Sequence, residues 1–63
     1  MNYTQRLYEA EQLSTMCYLC NIDLTECITE VSDYLELGYN DSKDIASGTY
    51  KVLSLIQPHE PIN

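Results

Sequence analysis

The sequence predicts a small, mostly α domain: a helical hairpin followed by one C-terminal strand, completed by homodimerisation, with a three-helix domain as the alternative. Three observations predict it. Ile22 to Tyr39 reads as an amphipathic helix with both ends marked, and the run before it carries a second apolar helical face. Thr49 to Gln57 is rich in β-branched and aromatic residues and has no second strand to pair with.

The chain has 63 residues, so it forms one domain near the size at which a monomer barely offsets its chain entropy. Domains this small usually add disulfides, a metal or a second copy. Its apolar fraction, 44%, is that of a globular chain. Ten acidic residues stand against three basic ones, a net charge of −7. Only Arg6, Lys43 and Lys51 can meet a phosphate, so nucleic acid and anionic membranes are not expected partners. No apolar run reaches the length of a membrane span, and Met1 to Ala10 does not resemble a signal peptide. Three cysteines, an odd number, suit free thiols in a reducing cytoplasm.

The first helix is expected over about Tyr3–Leu19, with Asn2 and Gln5 as a capping pair. Tyr3, Leu7, Ala10, Leu13, Cys17 and Tyr18 share one broad face. From Met16 to Cys20 the last turn is apolar all round, which a single packing neighbour cannot bury. Asn21 can end this helix, and the short link to Asp23 forces a hairpin or tight corner.

In the second helix, expected over about 23–37, Asp23 and Glu26 make the capping pair, with Ile22 and Cys27 as its apolar staple. Gly38 is expected to stop the helix in the left-handed conformation, with Tyr39 folding back on Tyr34. Leu24, Cys27, Ile28, Val31, Tyr34 and Leu35 crowd into an arc of roughly 120°. Asp23, Glu26, Glu30, Asp33 and Glu36 occupy most of the other side.

Tyr39 to Gly48 has loop composition, with room for one helical turn that sets Ile45 against the hairpin. Tyr50, Val52 and Ile56 then alternate with their neighbours as in a strand over 49–57. Ile45, Val52, Leu53 and Ile56 also fit a helical stripe, but that places Gly48 inside a helix at a cost of about 1 kcal/mol. Pro58 and Pro61 end regular structure, leaving a loose tail over 58–63. A lone strand needs backbone partners, and the same strand of a second copy supplies them about a two-fold axis.

No residue constellation announces a chemistry. Cys17, Cys20, Cys27 and His59 are the nearest approach to a zinc set, yet the Cys-x-x-Cys pair lies inside a helix and has no second pair. No cofactor is expected. Nor is there a nucleophile beside the one His, or a glycine-rich phosphate loop, and the chain is read as no enzyme. The acidic face, Glu26, Glu30 and Asp33 above all, is a solvated surface or, alternatively, a mimic of a nucleic-acid backbone that inhibits a DNA- or RNA-binding protein. Tyr8, Tyr18, Leu19, Tyr50, Val52, Leu53, Leu55 and Ile56 are the candidate dimer or partner interface, able to accept an amphipathic helix from another protein.

Taken whole, the chain resembles the small early proteins that lambdoid temperate phages encode between their exonuclease and excisionase genes. The likeness lies in NYTQRLYEAEQLSTMCYLC (2–20), DLTECITEVSDYLELG (23–38) and the strand-like TYKVLSLIQ (49–57) with its short tail. It implies a dimeric protein of early lytic development, two helices and one strand per chain, that alters the host by binding a host protein, without catalysis. The resemblance carries no catalytic or metal residue over.

Overall fold

A computed structural model of the chain describes residues 1–59. Three helices follow one another: α1 (Tyr3–Leu19), α2 (Leu24–Leu35) and α3 (Tyr39–Ile56). α1 begins at the expected cap, where Asn2 Oδ1 accepts the Gln5 backbone N–H at 2.8 Å. It ends in a double closure: the Asn21 N–H donates to the Tyr18 carbonyl and the Ile22 N–H to the Cys17 carbonyl, each at 3.0 Å. Asn21 has φ 63°, in the left-handed region that asparagine tolerates better than most residues. The chain reverses there, and Asp23 at once caps α2, its Oδ1 accepting the Glu26 N–H at 2.9 Å.

The exit of α2 differs from expectation. Glu36, not Gly38, takes the left-handed conformation (φ 53°, ψ 40°), and the helix ends at Leu35. Gly38 is instead the extended residue before α3, at φ −63° and ψ 156°. Leu37 is the reason: it drops into the core beside this turn, the place expected for Tyr39. Tyr39 opens α3 on the surface, and Tyr34 is 77% exposed rather than part of the packed face. Ser32 Oγ donates to the Leu37 carbonyl at 2.9 Å and holds the turn against α2.

The strand expected over Thr49–Gln57 is the second half of α3, and the expected loop is its first half. Ser42, Ile45, Ala46 and Tyr50 share one helical face and pack inward, which outweighs the penalty of Gly48 in the helix interior. The helix also pairs its own backbone. No strand occurs among the described residues, and the backbone argument for a second copy disappears with it.

α1 and α3 run parallel. At one end the Tyr3 hydroxyl donates to Asp41 Oδ2 at 2.8 Å, and at the other the Tyr18 hydroxyl donates to the Gln57 carbonyl at 2.9 Å. α2 returns between those ends and touches both. Ala10, Ser14, Cys17, Cys27, Ile28, Val31, Leu37, Ser42 and Ala46 form the interior, so the core is thin and made of small side chains. The body measures 42 × 19 × 16 Å. Of the expected loose tail, residues 60–63 lie outside the described residues. The His59 ring stacks on Tyr18 with centroids 4.0 Å apart.

Candidate protein-binding surface

The interior polar groups are arranged for structure. Cys17 and Cys27 are buried, whereas Cys20 is exposed at the end of α1. Burial, followed by a hydrogen bond to Cys27, pushes the Cys17 thiol up to about 12. A thiol held protonated is a poor nucleophile and a poor ligand. Burial, then the neighbouring Cys27, likewise raises the Tyr50 phenol. His59 Nε2 lies 2.6 Å from the Tyr18 carbonyl, which can only accept, so Nε2 carries the proton. Among the described residues no three His, Cys, Asp or Glu side chains converge as a metal site would require.

The residues expected at an interface divide into two groups. Tyr18 is buried and Tyr50 half-buried, their rings meeting edge to face at 5.2 Å. The Tyr50 hydroxyl donates to the Ile22 carbonyl, tying α3 to the α1–α2 turn. These two tyrosines, expected at an interface, make their contacts within the single chain. Leu53 is half-buried. By contrast Tyr8, Leu19, Val52, Leu55 and Ile56 are all exposed. Leu55 is 79% and Ile56 74% exposed, the largest values among the aliphatic side chains of the helices. Tyr8 lies on α1 about 16 Å before Leu19 and stands apart from the rest.

Between α1 and α3 runs a cleft of about 420 Å³. Glu11 and Thr15 line it from α1; Asp44, Ile45, Gly48, Thr49, Val52 and Leu53 line it from α3. One helical turn beyond Thr15 stands Leu19, and one turn beyond Val52 stands Ile56. The exposed apolar end is therefore continuous with the cleft. Sequence reasoning missed Glu11, Thr15, Asp44 and Gly48 as members of this surface. Their common signal is the helical period through Gly48, which only becomes visible once residues 45–56 are read as a helix.

Glu26, Glu30 and Asp33 are exposed along the outer side of α2, one helical turn apart. α2 contributes no residue to the cleft, so the acidic row and the apolar end are separate surfaces. No helix among the described residues is long and apolar enough to cross a membrane. Compared with protein-family models, curated proteins and solved structures, the chain matches none.

Proposed function

We propose that this protein acts without catalysis, by binding another protein through the apolar end formed by Leu19, Val52, Leu55 and Ile56. The observation that carries the reading is the exposure of Val52, Leu55 and Ile56 on a helix whose Ile45, Ala46 and Tyr50 pack inward. Contiguous apolar surface of this kind marks interaction sites in small water-exposed domains. The resemblance to lambdoid early proteins makes a bacterial host protein the natural partner and lytic development the natural setting. A homodimer through the same end is the other use of that surface, now without the strand pairing that first argued for it.

The test is capture from lysate of infected and uninfected bacteria by the wild-type chain and by a Leu55→Glu/Ile56→Glu variant. Both side chains are exposed, so the variant should keep its helical circular dichroism while losing a specific partner. Equal capture by both proteins would overturn the reading. The exposed Glu26, Glu30 and Asp33 row favours a second reading, mimicry of a nucleic-acid backbone. Binding through that row would vanish with added salt, whereas binding through Leu55 and Ile56 would persist.

A further inference from the structure

We propose that the α1–α3 cleft receives an amphipathic helix bearing basic residues, supplied by a different protein; this rests on the partner-binding reading and names the partner's chemistry. Three features of the cleft converge on that guest.

The first is Gly48. It lies inside an 18-residue helix, where glycine weakens the element. Its φ is not positive, so its backbone conformation does not require glycine. A Cβ added there would meet nothing within 4 Å. No packing inside the chain therefore calls for a missing side chain. A notch on the cleft wall admits a foreign backbone at close range.

The second is shape. Ile45, Val52 and Leu53 supply an apolar floor along one side of α3, and Leu19 and Ile56 extend it past the cleft. A helix laid along such a strip presents apolar side chains at i, i+3, i+4 and i+7. It would convert three helices into a four-helix bundle.

The third is charge. Glu11 and Asp44 line the cleft, and no Lys or Arg does. At its far end α1 and α3 both present their C-termini, with no basic residue in the last turn of either. Each such terminus carries partial negative charge. A guest with Lys or Arg flanking its apolar stripe answers both sources. A second copy does not: the chain carries −7, and two-fold pairing would bring Glu11 and Asp44 of both copies to one interface.

The experiment selects binders to the purified full chain from a yeast-displayed library of helical peptides about 18 residues long, randomised in both charge and apolar pattern. Recovered peptides should show the apolar spacing with flanking Lys or Arg. Their affinity should fall about tenfold or more for Gly48→Leu, which fills the notch, and for Glu11→Lys, which reverses the wall charge. Tyr34→Ala, distant from the cleft, should bind as wild type does. Acidic or unpatterned binders, no binders, or full affinity for Gly48→Leu would overturn the proposal. Peptides that ignore Gly48→Leu yet fail on Leu55→Glu/Ile56→Glu would overturn the cleft while leaving partner binding intact. Sedimentation of the chain alone decides against a second copy or for it. A doubled mass that Gly48→Leu reduces to one chain would give the cleft to self-association and overturn the proposal.

Discussion

Ser14 and Ser42 are completely buried, and neither hydroxyl has a hydrogen-bond partner. A buried hydroxyl without a partner loses its hydration for nothing in return. Ser42→Ala should therefore raise the unfolding free energy by about 1 kcal/mol, read from urea denaturation. A fall in the midpoint would show that the hydroxyl is satisfied. Cys17 sets a pH dependence. Its thiol is raised from the ordinary 9.0 to about 12 in the fold, so above pH 9 the unfolded chain releases a proton that the folded chain retains. Stability from this group is complete below about pH 9 and is lost as pH climbs towards 12. Tyr50, raised in the same direction, adds to the loss. The melting temperature should fall across that alkaline range, and less steeply in Cys17→Ala. At this scale the sequence was partly legible. The Asn2 and Asp23 caps were visible because each depends on a side chain acting on backbone three residues away, and the Asn21 turn because asparagine tolerates the left-handed backbone. The exposure of Tyr34 was not, because it depends on where α2 stops, and Leu37 decides that from the core.

α2 owes its start to one carboxylate, and α3 spans a residue that opposes it. Asp23→Ala removes the acceptor for the Glu26 N–H and should lower stability by about 1 kcal/mol in thermal or urea unfolding. Gly48→Ala should act oppositely. Its Cβ enters open space on a helix interior, so a gain of about 1 kcal/mol is expected from propensity alone. An unchanged midpoint would mean that residues 45–56 are not helical in solution. α3 was also where sequence reasoning failed. β-branched and aromatic residues near Val52 and a glycine at 48 look local, and locally they favour a strand. The helix wins through contacts that are not local: Tyr50 reaching the Ile22 carbonyl, and Ile45 and Ala46 packing against the hairpin. The three-helix alternative held the right period. What it lacked was any sequence sign that those contacts exist.

The whole molecule is slender, 42 Å long and at most 19 Å across, with an interior in which Val31 is the largest fully buried side chain. So thin a core leaves little reserve, and a guest helix in the cleft would stabilise the fold by mass action. Adding a binding peptide should raise the melting temperature of wild type and leave that of Gly48→Leu unchanged. The parallel course of α1 and α3 has a practical corollary. Met1 and His59 stand at opposite extremities of the rod, because the Tyr3–Asp41 bond closes one end and the Tyr18–Gln57 bond the other. A fluorescent or affinity fusion joined directly after His59 would begin beside Tyr18, at the end of the rod that carries Leu19, Leu55 and Ile56. Joined ahead of Met1, the same fusion would sit a full molecular length away. Handles for capture belong on the amino-terminal side.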